Sequence, residues 1–338
     1  MKKKHEKSSC CRGQVRRFGG RRRQCVMCKK TWRVWKTRRG RKKLRVSVEI
    51  AHRFVMHRLL PVRSPQAGPM LSRNERAYRL GQSRTRCASL CPWPIVPEGN
   101  LIAVADALVK YVEGTWHTWY FVLVRALEET EATVLPPFHR IGTETSTGWC
   151  EAFDALNAPI RNRIKALVCD GHTGLVYEAR WRGWLLERCH FHLIARIQSR
   201  RSKWKTSQHY EEGRHLYCLV KRVLTESNER QLQEVVNELE EIGWETPSKD
   251  LKNTLKGFVN HYQEFRTYLY HPQLRLPITN NTAETFIGLV EEVGSRARGF
   301  KNVSVLNEWI TCVCKTRKKI RCAPPEEKKK YINRYNQT

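Results

Sequence analysis

Acidic residues are scarce. The chain of 338 residues has 32 Asp and Glu against 63 Lys and Arg, a formal net charge of +31. An excess of that size goes beyond what solubility requires and points to a polyanionic partner. No run of about 18 consecutive apolar residues occurs, so the sequence offers no membrane-spanning helix. The basic start Met1–Lys4 is followed by polar residues instead of the apolar stretch of a signal peptide. The expectation is a soluble, intracellular protein that binds nucleic acid and no membrane. An even cysteine framework is also missing. The thirteen Cys therefore read as reduced thiols and candidate metal ligands, which suits a reducing, cytosolic compartment.

What is present falls into segments. At 40% hydrophobic residues, the chain can bury one sizeable core plus one or two satellite units. Residues 1–45 hold about twenty Lys and Arg against the single acid Glu6, a density at which self-repulsion opposes folding unless metal or DNA intervenes. Cys10, Cys11, Cys25 and Cys28 lie in this arm and are candidate Zn2+ ligands. Cys25-x-x-Cys28 followed by Thr31-Trp32 has the form of half a zinc ribbon. The upstream half is degenerate, because Lys7 and Ser8 stand where a second C-x-x-C needs thiols. Zinc ribbon and metal-free basic arm both remain open.

Residues 46–95 place Val48, Ala51, Val55 and Leu59 at helical spacing, then break at Pro61, Pro65 and Pro69. Ser72-Arg-Asn-Glu75 is a capping box that predicts a second helix through Leu80, ended by Gly81. Basic flanks around Arg84 and Arg86 fit a helix-turn-helix that reads a major groove, or equally a small helical linker.

From residue 96 the texture changes. Leu101–Ala105, Trp116–Ala126 and Ala132–Leu135 predict three strands, Glu151–Leu156 a helix, and Ile164–Cys169 a buried strand. Three antiparallel strands, a helix and a parallel strand form the order of an α/β, RNase H-like core. Residues 96–173 form its first part. Residues 174–275, with periodic leucines at 216, 219, 224, 232 and 239, read as an α-helical insertion without strands. Residues 276–320 supply the C-terminal helices of the core, and 321–338 a basic tail.

Asp106 and Asp170 each follow an apolar strand. Taken singly, either is explained as a turn or cap residue. In an RNase H-like sheet the ends of those strands are neighbours, so the two carboxylates would converge, repel and call for a cation. Carboxylate oxygens with room for water suit Mg2+ or Mn2+. Glu284, in Thr279-Asn-Asn-Thr-Ala-Glu284 at the start of a helix, could complete the pocket, although an acid there is also favourable with the helix dipole alone. Asp154 competes with Asp106 for the first position. Cys189 and His192 form a C-x-x-H pair that either packs beside the acids or is half of a zinc site. Arg296, Arg298 and Lys301 are candidate phosphate contacts, or simply a solvated basic face. Trp181, Trp184 and Trp204 could stack on a flipped base or serve as core.

Ala105-Asp106-Ala107, Val168-Cys169-Asp170-Gly171, Cys189-His190-Phe191-His192 and Asn281-Thr-Ala-Glu284 with Arg296-Ala-Arg-Gly-Phe300 together resemble bacterial Mutator-type insertion-sequence transposases, over about residues 100–315. The C-x-x-H pair lies about twenty residues past Asp170 and a helical insertion precedes Glu284, as in that family. The resemblance implies a DDE triad of Asp106, Asp170 and Glu284 holding two Mg2+ or Mn2+ ions. It also implies cleavage and strand transfer at terminal inverted repeats into target DNA, a homodimer or larger synaptic oligomer, and a prokaryotic, cytoplasmic, nucleoid-associated setting. Two rivals remain, a binding module without catalysis and a nuclease that would share the metal chemistry. A domesticated transposon-derived DNA-binding protein needs no intact triad, and another RNase H-fold nuclease needs neither the helical insertion nor the basic recognition region.

Overall fold

In the N-terminal arm, β1 (Val15–Arg17), β2 (Arg22–Cys25) and β3 (Thr31–Arg33) form a three-stranded antiparallel sheet. The computed structural model describes residues 11, 13–18, 22–33, 81, 84–85, 87–89, 91–202, 210–245, 249–296 and 302–324. The capping box at 72–75 and the apolar positions at 48–59 lie outside them.

The core is organised by β4 (Leu101–Val112) and β5 (Thr115–Ala126), which pair antiparallel from Leu101↔Ala126 to Val112↔Thr115. Glu113 and Gly114 join them with φ of 52° and 82°. Two successive positive φ values are what a tight hairpin turn needs to match the strand twist. β6 (Glu131–Val134) and β7 (Phe138–Ile141) pair with β5. β8 (Ile164–Cys169) lies parallel to β4, and β9 (Leu185–Arg188) parallel to β8. β10 (Lys319–Arg321) closes the other edge against β6. The result is a mixed seven-stranded sheet within an α/β fold.

Both faces of the sheet are covered, which is why β4, β5 and β8 read as apolar runs instead of simple alternation. Side chains still alternate face by face. Leu101, Ala103 and Ala105 pack with Trp149 and Phe153 of helix α1 (Ser146–Asp154) and Leu175 and Ala179 of α2 (Thr173–Trp181). Ile102, Val104 and Leu108 pack on the other face. A third cluster is separate and lies in α3 (His190–Ser202), α4 (Tyr210–Thr225), α5 (Glu229–Glu245) and α6 (Lys249–Val259). The chain then returns through α7 (Asn281–Arg296) and α8 (Val303–Thr316), which bring Phe286, Val290, Leu306 and Ile310 to the face of Ile102 and Val104. Among the described residues no helix is long and apolar enough to cross a membrane.

Several expectations are corrected. The first strand does not stop at Ala105 but continues through Val112, so Asp106 is a mid-strand residue. One polar side chain is tolerated there because β8 has already ended beside it. The stretch after Gly174 is not wholly helical: α2 packs on the sheet, β9 extends it beside β8, and the separate helical core begins at Leu193. β7 and β10 are further strands that the sequence reading lacks. β10 spans Lys319–Arg321, across the expected boundary between the C-terminal helices and the basic tail. The predicted helix at Glu151–Leu156 begins earlier, at Ser146, where the Thr145 side chain accepts from Gly148 N–H and so fixes the start. Gly81 is itself helical, and its neighbours at 80, 82 and 83 lie outside the described residues. A glycine inside a helix costs only about 1 kcal/mol.

Candidate active site

Asp106 shares its face of β4 with Val104 and Leu108, the face on which α7 packs. The last β4–β8 partners are Val104 and Val168, so Asp106 and Asp170 stand just past the point where the two strands separate. Oδ1 of Asp106 accepts from Ala107 N–H at 2.8 Å, and Oδ2 lies 3.4 Å from Nδ2 of Asn280. Burial pushes the Asp106 carboxyl up to about 7, and the negative fields of Asp170, Glu284 and Glu144 add to that effect, against the lowering by the Ala107 amide. Acids from a strand end, a loop and a late helix thus act on this one strand carboxyl.

Asp170 is held by the turn that follows it, its Oδ1 accepting from His172 N–H at 2.8 Å. Gly171 has φ +94°, and a Cβ there would stand 2.6 Å from Nη2 of Arg188. The backbone conformation therefore favours glycine, while the crowding is with the mobile end of the Arg188 side chain. Asp170, Arg188, His192 and Arg196 line a cleft of about 110 Å3 together with Phe258 and Phe265. The cleft thus joins the sheet edge to the helical insertion.

Glu284 sits in the first turn of α7. Asn280 begins that helix: its carbonyl accepts from Ala283 N–H at 2.8 Å and Glu284 N–H at 3.2 Å. Oε1 of Glu284 lies 3.5 Å from Nδ1 of His192. Cys189, His192 and Glu284 offer ligand atoms that all lie within 4.8 Å of one another. The C-x-x-H pair is therefore beside the acids.

Glu144 is a site residue that sequence reasoning missed. Its Oε1 accepts from Trp149 Nε1 at 2.7 Å and lies 3.6 Å from Nδ1 of His172. In the sequence it sits in a polar run ahead of a helix cap, where an acid carries no signal. Asp154, in contrast, is remote from this group in its bonding. It ends α1 half exposed, bound by Arg182 at 2.8 Å and Arg161 at 3.5 Å. The Arg182 hydrogen bond holds its carboxyl below the usual carboxylate range.

The donor set around Asp106 is oxygen only, which fits a hard cation such as Mg2+ or Mn2+. In the N-terminal sheet, Cys11, Cys25 and Cys28 have their sulfurs within 4.8 Å of one another, with Cys11 and Cys25 at 3.1 Å. Three thiols that close suit Zn2+. Cys10 lies outside the described residues, as do Arg298, Lys301, Trp204 and the side chain of Arg296. Trp184 is core, whereas Trp181 is exposed under the guanidinium of Arg182 at 4.9 Å.

No protein-family model and no curated protein sequence matches the chain. Among solved structures, the chain is similar to one in a Drosophila P element transposase strand transfer complex. The likeness has a TM-score of 0.42 at 8% identity and covers 80% of this chain and 92% of that one.

Proposed function

We propose that this chain is a DNA transposase, with an RNase H-like core that cuts DNA at the ends of a mobile element and joins the freed ends to a target. The observation that carries the reading is the gathering of Asp170, Glu284 and Glu144 about Asp106, which keeps acids from distant parts of the chain on one carboxyl. A protein that only holds DNA gains nothing from such mutual repulsion, and a cation relieves it.

Asp106, Asp170 and Glu284 would hold Mg2+ or Mn2+. When bound, the ions supply the Lewis acidity that activates an attacking hydroxyl or water and stabilises the leaving oxygen. The protein's own part is positioning. Arg188 and Arg196 offer positive charge along the cleft beside Asp170, where a phosphodiester can lie. Phe258 and Phe265 form its apolar wall. The His172 amide fixes the Asp170 rotamer, and Asn280 couples Asp106 to the helix that carries Glu284. The basic arm, with Cys11, Cys25 and Cys28 as its proposed Zn2+ ligands, grips the DNA backbone, and pairing of two element ends calls for a dimer or larger assembly.

The test is cleavage of a duplex bearing the element's inverted repeat. Cutting should require Mg2+ or Mn2+ and be abolished in Asp170→Asn and Glu284→Gln while binding persists. Undiminished cutting by either variant removes the triad assignment.

A further inference from the structure

Oε1 of Glu284 and Nδ1 of His192 are both shielded from solvent, and among the described residues neither has a hydrogen-bond partner. They face each other at 3.5 Å, too far for a hydrogen bond. Two buried polar atoms left in this state are costly unless something between them binds both.

The third group of the cluster is the Cys189 thiol, which is fully buried. Its sulfur accepts from the backbone N–H groups of Asn280, His192 and Phe191. Burial nevertheless pushes the Cys189 thiol up from its ordinary value, against the lowering by these three amides. The local chain explains this arrangement. Cys189 immediately precedes α3, whose first turn points free N–H groups at it, and the i, i+3 spacing puts His192 on the same side. Asn280, from the far side of the insertion, adds the third donor just ahead of the helix that carries Glu284.

We propose that Cys189, His192 and Glu284 form a binding site for a borderline divalent cation of the Zn2+ or Co2+ class, distinct in chemistry from the oxygen-only group around Asp106. One thiolate, one imidazole nitrogen and one carboxylate oxygen match the ligand preference of such ions and leave a fourth position for solvent. Binding replaces the thiol proton with a sulfur–metal bond, and the proton leaves to solvent. Glu284 belongs to both groups. Its Oε1 faces His192, so an ion here fixes the carboxylate that the transposase reading assigns to the acid triad. The site itself rests on the geometry of the three ligands and not on that reading.

The test is Co2+ titration of the full chain carrying Cys25→Ser and Cys28→Ser, which remove two of the three thiols of the N-terminal cluster. The difference spectrum between this protein and the same protein with Cys189→Ala should contain one thiolate-to-cobalt charge-transfer band, saturating at one ion and surviving excess Mg2+. His192→Ala keeps the thiol and should weaken Co2+ binding at least about tenfold, since loss even of an outer partner of a ligand costs that much. A featureless difference spectrum overturns the site. So does unchanged Co2+ affinity in His192→Ala, which would leave His192 and Glu284 as a plain ion pair. The readout needs no DNA, so a chain that cuts nothing can still pass it, and one that cuts DNA can fail it.

Discussion

Nδ2 of Asn280 stands 3.4 Å from Oδ2 of Asp106, which ties the start of the post-insertion helix to the middle of β4. The same residue is fully buried, accepts from the amide of Glu284 and donates its own amide to Cys189. Through it the three parts of the site share one support.

Asn280→Asp places a further carboxylate against Asp106. The variant should lose roughly 1–3 kcal/mol of stability at about pH 8, the scale of an uncompensated buried polar group. Most of that loss should be recovered with Mg2+ or at about pH 5, where acids in the pocket take up protons. Thermal melts under the three conditions check this, and an equal loss in all of them contradicts it.

Asp106 is pushed up from 3.8 to about 7. An acid raised in this way stabilises the fold fully below its unfolded value, and the contribution is lost as pH rises through the folded value. Metal-free protein should therefore lose stability between roughly pH 4 and pH 7. Mg2+ or Mn2+ should raise Tm more at about pH 8 than at about pH 5, because protons compete with the cation for the same carboxylates. An increment independent of pH would place the cation elsewhere.

Gly171→Ala forces a side chain into φ +94° and against Arg188. The expected cost is about 1–3 kcal/mol, with cleavage reduced more than DNA binding because the displaced turn carries Asp170. Denaturant melts and gel-shift assays separate the two effects.

Asp154→Asn should leave cleavage unchanged, whereas Asp106→Asn should abolish it. Asp154 spends its charge on Arg182 and Arg161 at a half-exposed helix end, where ion pairs are worth little. Loss of cutting in Asp154→Asn alone would exchange the two residues in the assignment.

The extent to which the sequence announced this arrangement depends on the kind of signal. β8 was legible to the residue, because Ile164–Cys169 is buried and apolar except at Lys165, with a polar residue beyond each end. The period of β4 was legible but not its length, since Asp106 and Lys110 interrupt the apolar pattern while the β5 partner continues beside them. β9, β7 and β10 are three or four residues long and mostly half-exposed, and strands that short are defined by their neighbours and not by their own composition. Asp106, Asp170, Glu284, Cys189 and His192 were proposed from motif and spacing, and their roles stay proposals; the structure puts the carboxylates of Asp170 and Glu284 in the field of Asp106 and the Cys189 and His192 ligand atoms beside Glu284. Glu144 was not proposed, because only the fold of α1 onto β5 turns that polar loop toward the acids.

The central claim is that Asp106, Asp170 and Glu284 serve one cation-binding group. Calorimetric titration of Mn2+ onto the full chain, near pH 8 and without DNA, tests it directly. Asp106→Asn, Asp170→Asn and Glu284→Gln should each weaken the same binding event, and pairs of these substitutions should cost less than the sum of the singles because the event is already lost. Mn2+ binding that ignores any one of the three, or losses that simply add, would contradict a shared site.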